Sequence, residues 1–263
     1  MKIEGRTFVV SGGASGLGQA AVEEICRNGG NVAILDLNEE LGAAVVKLLP
    51  EGAGKFFVCD VSETKSITAA VAGVVEWIGK TGKPMGGVIP AAGVANPSTI
   101  LDRDGDAFSL DSFDFVTNIN IRGTVDLVRQ CLVHLAKTEP AGDDQERGVV
   151  VMVSSVAAFD GQKGQVAYSA SKGAVASMTL PMTRDLARYG IRCMTIAPGI
   201  FESRMTAVMP PKLFKGLATV MEFPRRAGKP TEFALLVRQI IENPMLNGTV
   251  IRLDGGLRMP SKI

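Results

Sequence analysis

Residues 11–18 read Ser11-Gly12-Gly13-Ala14-Ser15-Gly16-Leu17-Gly18, and they join a β-branched run, Thr7–Val10, to a segment with helical spacing, Gly16–Asn28. Glycines between a strand and a helix let the backbone turn tightly and approach a pyrophosphate. The helix that follows directs unpaired N–H groups and the positive end of its dipole at the phosphates. Turns use glycine for other reasons as well, but this position favours nucleotide binding. The predicted contacts are Ser11, Gly12, Ser15, Gly16, Leu17 and Gly18.

Strand-like and helix-like segments alternate along the rest of the chain. The further predicted strands are Asn31–Leu35, Phe56–Cys59, Val88–Pro90, Val149–Val153, Arg192–Ala197 and Thr249–Leu253. The further predicted helices are Glu39–Leu49, Thr64–Ile78, Ser112–Lys137, Gln165–Arg188 and Thr231–Glu242, and Pro181 is expected to kink its helix without ending it. This alternation predicts an α/β, Rossmann-type, doubly wound sheet of seven mostly parallel strands with helices on both faces. Because no repeat or Pro/Ser-rich linker interrupts it, we predict that residues 1–263 form one NAD(P)-binding domain.

Composition narrows the class of protein and its partners. Among 263 residues, 28 are Lys or Arg and 27 are Asp or Glu, which gives a net charge of +1. A balanced charge provides no electrostatic footprint for nucleic acid, so we expect no such partner. No apolar run approaches the length of a membrane span, and Met1–Gly5 leads directly into a strand without a cleavable targeting peptide. The cysteines are widely spaced and form no C-x-x-C pair, which indicates reduced thiols in an intracellular enzyme with no metal site.

An acidic residue, Asp36, ends the second predicted strand. A carboxylate at this position accepts hydrogen bonds from both ribose hydroxyls and repels a 2′-phosphate. The next residues, Leu37-Asn38-Glu39-Glu40, supply no Arg or Lys that could bind such a phosphate. We therefore predict NAD(H) as the cofactor in preference to NADP(H). The alternative interpretation is that Asp36 caps the helix that follows.

A second motif, Tyr168-Ser169-Ala170-Ser171-Lys172, places Tyr168 and Lys172 one helical turn apart. Ser155 follows the buried strand Val149–Val153, and ligands of parallel sheets bind beyond the carboxyl ends of the strands. A free tyrosine, with a pKa of about 10, is a poor base at neutral pH, but a nearby ammonium group favours its phenolate. Ser155 would stabilise charge on a substrate oxygen. The motif predicts alcohol–ketone chemistry; the alternative is a pair of surface residues on an exposed helix.

Taken together, these motifs resemble those of the short-chain dehydrogenase/reductase family. The matching residues are the loop 11–18, Asp60, Asn120, Ser155, Tyr168-x-x-x-Lys172 and Pro198-Gly199. The resemblance implies that Asn120, rather than its neighbour Asn118, holds a water in a proton relay through the lysine. It also implies cofactor contacts at Asp60, Val61, Ala92, Gly93, Pro198, Gly199, Phe201 and Ser203, in addition to Tyr168 and Lys172. The family usually has Asn-Ala-Gly where this chain has Ala91-Ala92-Gly93, so another group must support that loop.

A closer resemblance is to the type II 3-hydroxyacyl-CoA dehydrogenases, also called 17β-hydroxysteroid dehydrogenases type ten. The similar segments are Ser155–Phe159, Tyr168–Gly173, Thr195–Gly199, Ile240–Pro244 and Val250–Gly255. This resemblance implies NAD-dependent interconversion of (S)-3-hydroxyacyl-CoA and 3-ketoacyl-CoA in fatty acid or branched-chain acyl-CoA oxidation, by a mitochondrial homotetramer. Two alternatives stay open: a dehydrogenase of steroids or other secondary alcohols, and a non-catalytic scaffold subunit.

Two further segments bear on the substrate and on the location of the protein. Residues 200–224 are rich in Met and other apolar residues, which is typical either of a substrate lid or of an amphipathic helix over the core. The chain ends in Ser261-Lys262-Ile263, which resembles the S-K-L peroxisomal signal. The peroxisome is therefore an alternative to the mitochondrion.

Overall fold

The computed structural model of the protein describes residues 1–203, 206, 216 and 220–259. Within them, the strands are β1 Thr7–Ser11, β2 Asn31–Asp36, β3 Gly54–Val58, β4 Met85–Pro90, β5 Gly148–Val153, β6 Ile191–Pro198 and β7 Val250–Leu253. They form one sheet in the order β3-β2-β1-β4-β5-β6-β7. Every neighbouring pair of strands is parallel. The predicted doubly wound sheet of seven strands is therefore confirmed.

The helices lie where the apolar periodicity predicts them. In the described part of the chain the α-helices are α1 Gly16–Arg27, α2 Glu39–Leu48, α3 Thr64–Thr81, α4 Leu110–Thr117, α5 Thr124–Leu135, α6 Val166–Leu186 and α7 Pro230–Glu242. Helix α6 runs through Pro181 without ending. One feature differs from the prediction, because the single helix expected over Ser112–Lys137 contains a π-helical turn, Asn118–Gly123, between α4 and α5. Such turns have no strong sequence signal and often lie at functional sites.

Apolar side chains pack on both faces of the sheet. Because side chains alternate along a strand, Phe8 and Val10 of β1 lie in the apolar cluster on one face of the sheet, and Val9 lies in the cluster on the other face. Helices α1, α2 and α7 cover the first face, whereas α3, α5 and α6 cover the second. A strand buried on both sides carries few polar residues, which explains the continuous apolar run Val149–Val153 in β5.

The strand order reverses between β1 and β4, and this is the place where ligands bind in open α/β sheets. The loops that leave these two strands are tied together, because the Ala91 amide donates to the Ser11 carbonyl at 3.1 Å. The Ala92 amide also donates to the Ser11 hydroxyl at 3.3 Å. The glycine-rich loop and the Ala91-Ala92-Gly93 loop therefore lie side by side at the carboxyl edge of the sheet.

Candidate active site

The glycine-rich loop has little room for side chains. Gly12 has a φ of +65°, and a Cβ atom on it would lie 2.8 Å from the Ala92 nitrogen. A Cβ on Gly18 would lie 2.2 Å from the Gly12 carbonyl oxygen. Because Gly18 has no side chain, the first turn of α1 can pack directly against the glycine-rich loop. Ser15, the residue before α1, makes no capping hydrogen bond with its side chain. The first amides of α1 are thus available to an anionic ligand, and the loop fits a dinucleotide pyrophosphate.

Asp36 lies at the end of β2 and faces this loop. Its two carboxylate oxygens accept hydrogen bonds from the Ala14 amide and the Asn38 amide, each at 3.1 Å. The residue that caps α2 is Asn38, whose side chain accepts from the Leu41 amide at 2.9 Å. The interpretation of Asp36 as a helix cap is therefore wrong. Each carboxylate oxygen keeps a lone pair for a further donor.

A second acidic loop follows β3. The Asp60 carboxylate accepts from the Ser62 amide at 2.8 Å and from the Ser62 hydroxyl at 2.6 Å. The Ser62 carbonyl in turn accepts from the side chains of Asn118 and Arg122, each at 3.3 Å. Asn118, the less favoured candidate for the relay residue, therefore holds this loop against the π-helical turn. Asp60 and Val61 face the same cavity as Asp36.

Tyr168 and Lys172 project from one side of α6 toward the end of β5. The side chains of Ser155 and Tyr168 face the same cavity, and the Ser155 hydroxyl acts to lower the pKa of Tyr168. The Lys172 ammonium lies 5.8 Å from the centre of the Tyr168 ring, and Lys172 is only 6% exposed. The interpretation of these two residues as an exposed surface pair is therefore wrong. Three groups that could handle a proton and stabilise an oxyanion lie within one small region.

Burial shifts the pKa values of both α6 residues. It raises the pKa of Tyr168, and the Ser155 hydroxyl counters this only in part. It lowers the pKa of Lys172 to about 8. The Lys172 ammonium donates to the Val153 carbonyl at 3.0 Å. Desolvation is the larger of the two causes for Tyr168, and it acts against the phenolate.

Asn120 is completely buried in the π-helical turn. Its side-chain oxygen accepts from the Val94 amide and its nitrogen donates to the Val94 carbonyl, both at 2.9 Å. The same nitrogen donates to the Ser171 hydroxyl at 3.0 Å, and Ser171 donates to the Tyr168 carbonyl at 2.7 Å. The Asn120 side chain therefore supports the loop after β4. The family usually has an asparagine within that loop itself, where this chain has Ala91. Its side chain has no donor left for a water relay.

A cavity of about 440 Å³ joins these parts, which is within the range of small-molecule sites. Among the predicted site residues, those in its wall are Gly12, Ser15, Gly16, Leu17, Gly18, Asp36, Asp60, Val61, Ala92, Gly93, Ser155, Tyr168, Lys172, Pro198, Gly199, Phe201 and Ser203. Ser11 and Asn120 lie behind the wall and support it.

Several residues of the cavity wall were not predicted. They are Leu37, Cys59, Ala91, Val94, Ile119, Val153, Ser154 and Thr206. Most are apolar neighbours of predicted residues, and no pattern in the sequence distinguishes such positions from the core. Thr206 has a weak signal, because the spacing Ser-x-x-Thr allows its hydroxyl to accept from the Ser203 amide, here at 2.9 Å. Ser171 was also missed as part of the Asn120 network.

Some of the sequence predictions lie outside the described residues. This holds for most of the proposed lid, namely residues 204–205, 207–215 and 217–219, and for Ser261-Lys262-Ile263. In the part of the chain that the structure describes, no helix is both long enough and apolar enough to cross a membrane.

Comparison with known proteins agrees with this geometry. The short chain dehydrogenase family model matches residues 6–213. A Drosophila melanogaster protein named 3-hydroxyacyl-CoA dehydrogenase type-2 is 43% identical over 98% of this chain and 99% of its own. The Homo sapiens protein of that name is 42% identical over 98% and 97% of the two chains. The crystal structure of 3-hydroxyacyl-CoA dehydrogenase type-2 from Mycobacterium avium superposes with a TM-score of 0.91, at 32% identity and 98% coverage of both chains. The chain therefore belongs to the short-chain dehydrogenase family of NAD(P)-dependent oxidoreductases.

Proposed function

We propose that this enzyme interconverts (S)-3-hydroxyacyl-CoA and 3-ketoacyl-CoA with NAD(H) as its cofactor. The observation that supports the reaction is the cluster of Ser155, Tyr168 and Lys172, which faces the same cavity as the glycine-rich loop and Asp36. The choice of substrate is supported by the relatives named 3-hydroxyacyl-CoA dehydrogenase type-2, which match this chain at 40–43% identity over nearly its whole length.

The side chains have separate tasks in this proposal. A bound nicotinamide supplies the hydride for ketone reduction or accepts it in alcohol oxidation. Tyr168 donates its phenolic proton to the substrate oxygen during reduction and takes the hydroxyl proton during oxidation. Ser155 donates a hydrogen bond to the same oxygen as charge develops on it. Lys172, with a pKa of about 8, is mostly protonated at neutral pH and lowers the energy of the phenolate.

The proton that Tyr168 gives up must be replaced from solvent. Asn120 was predicted to hold a water for this relay. Because its side chain is occupied by Val94 and Ser171, we propose that the Asn120 side chain does not hold this water. The side chain instead keeps the loop after β4, including the predicted cofactor contacts Ala92 and Gly93, in place beside Lys172.

Asp36→Ala tests the cofactor assignment. We expect the KM for NADH to rise by about tenfold or more, because a charge-assisted hydrogen bond to the ribose is lost. Activity with NADPH should increase relative to NADH, because the repulsion of a 2′-phosphate is removed. Steady-state kinetics with both cofactors measure this ratio. Glu39→Ala, which removes an exposed carboxylate at the start of α2, is the matched control. An unchanged NADH/NADPH ratio in Asp36→Ala would refute the assignment.

The substrate assignment is tested with alcohols that differ in one feature each. We expect NAD⁺-dependent oxidation of (S)-3-hydroxybutyryl-CoA and little turnover of its (R) enantiomer. A 17β-hydroxysteroid serves as the probe for the alternative. Preference for the (R) enantiomer, or turnover of the steroid alone, would contradict the proposed substrate.

We also propose that the enzyme is a homotetramer that works in mitochondria, as its resemblance to the type II subgroup implies. Light scattering that shows a monomer would refute the homotetramer.

The location is tested by imaging the untagged protein with and without residues 261–263, which distinguishes the mitochondrion from the peroxisome. A peroxisomal signal that disappears in the truncated chain would contradict a mitochondrial location.

A further inference from the structure

An ion pair connects the last strand of the sheet to the turn that follows Ser155. Arg252 of β7 donates from Nη2 to the Asp160 carboxylate at 2.5 Å and to the Leu257 carbonyl at 2.8 Å. Its Nε donates to Asp254 at 2.7 Å. The guanidinium also lies 5.4 Å from the centre of the Phe159 ring. Since the side chains of Arg252 and Asp160 are only 21% and 17% exposed, water and salt screen this pair less than an ordinary surface pair.

The turn that contains Asp160 begins at Ser155 and is closed by its own hydrogen bonds. The Ala157 amide donates to the Ser155 hydroxyl oxygen at 3.1 Å. The amides of Phe159 and Asp160 both donate to the Val156 carbonyl, at 2.9 and 2.8 Å. The direction of the Ser155 side chain is therefore fixed by the turn, and a displacement of Asp160 would be transmitted to Ser155 through these short bonds.

The C-terminal segment, residues 254–259, holds this turn from outside. Val156 and Leu257 belong to one small apolar cluster with Met221. The hydrogen bond from Arg252 holds the pKa of Asp160 below its ordinary value, and the Met259 main chain contributes weakly in the same direction. The carboxylate thus stays charged and paired across the neutral range. Neither Arg252 nor Asp160 lies in the wall of the active-site cavity.

We propose that Arg252 and Asp160 are positioning residues, whose ion pair holds the turn Ser155–Asp160 against the C-terminal segment and thereby keeps the Ser155 hydroxyl beside Tyr168. Because neither residue lies in the wall of the cavity, the pair acts through Ser155. The inference rests on the proposed roles of Ser155 and Tyr168. It adds an ion pair outside the cavity that holds Ser155 in position.

Asp160→Asn keeps the shape of the side chain and removes its charge. We expect kcat for acetoacetyl-CoA reduction to fall about tenfold, which corresponds to about 1.4 kcal/mol of transition-state stabilisation. The Kd for NADH should not change. With NADH deuterated at the transferred position, the isotope effect on kcat should rise, because hydride transfer becomes slower relative to product release. Loss of folded enzyme would instead reduce the number of NADH sites and leave the isotope effect unchanged, and that result would overturn the proposal.

The control is Glu242→Gln, which removes the charge of a comparable pair, Arg238–Glu242, on α7. It should alter none of these quantities. Arg252→Met should resemble Asp160→Asn, and the double variant should be no slower than the slower single variant, because both changes remove the same link. Additive losses would contradict a shared role.

Hydrogen exchange gives a readout that needs no substrate. The amides of Phe159 and Asp160 should exchange faster in Asp160→Asn than in the wild type or Glu242→Gln. A wild-type enzyme that does not reduce acetoacetyl-CoA would refute the proposed function, and the exchange rates would still decide whether the pair holds the turn. Unchanged exchange, or faster exchange with unchanged kcat in an active enzyme, would overturn the positioning role.

Discussion

Tyr168→Phe lowers kcat for acetoacetyl-CoA reduction by about 10²–10⁴-fold, the usual contribution of a general acid, while the Kd for NADH stays within about twofold. The change removes one hydroxyl, which is the group whose pKa Ser155 acts to lower. The phenyl ring keeps the packing of the buried site. Stopped-flow or steady-state absorbance of the nicotinamide measures the rate, and fluorescence titration measures the affinity.

The other tyrosine of the chain provides the control for this variant. Tyr189 lies in the turn after α6, and its hydroxyl accepts from Arg188 at the surface. Tyr189→Phe should leave kcat unchanged. Wild-type activity in Tyr168→Phe would show that the reaction uses another proton donor. A scaffold function of the protein would survive the substitution, so binding of partner proteins by Tyr168→Phe measures that function separately.

Lys172→Met should lower activity and raise stability at the same time. The ammonium is buried, and removing a poorly solvated charge relieves its desolvation cost. Without that charge the Tyr168 phenolate forms less readily, so kcat should fall by about 10²-fold or more at neutral pH. The pH at which alcohol oxidation reaches half its maximum should rise by about one to three units, the usual effect of a nearby opposite charge. Kinetics as a function of pH and thermal unfolding measure the two effects.

Lys55→Met is the matched control, because Lys55 also lies over an aromatic ring, with its ammonium 5.2 Å from the centre of Phe57, outside the cavity. It should change neither kcat nor the pH profile.

A second check uses the shift of the Lys172 pKa from 10.5 to about 8. Between these values the unfolded chain binds more protons than the folded one, so Lys172 makes unfolding less favourable as the pH rises. Lys172→Met should lose that contribution, and an unchanged pH dependence would contradict the burial of the charge.

The parts of the fold that depend on short-range patterns could be predicted from the sequence. Strand β5 is a continuous apolar run, and the glycine-rich loop marks the first turn of the sheet. The spacing of Tyr168 and Lys172 follows from the helical repeat. These features need only the neighbouring residues, which explains why their positions in the structure agree with the prediction.

Features that depend on tertiary contacts could not be predicted in this way. The π-helical turn exists where Asn120 reaches Val94 and where Asn118 reaches Ser62, and nothing nearby in the sequence signals either contact. The burial of the site, which raises the pKa of Tyr168, is likewise not signalled by the motif. The pair of Arg252 and Asp160 joins residues 92 positions apart, so only the folded chain shows it.

The most direct test of the account is the rate of acetoacetyl-CoA reduction measured with NADH and with NADPH in parallel, on the wild-type enzyme. We predict rapid turnover with NADH and much slower turnover with NADPH, which would support both the role of Asp36 and the acyl-CoA substrate. No turnover with either cofactor, by an enzyme that binds NADH, would contradict the substrate assignment. Faster turnover with NADPH would contradict the cofactor assignment.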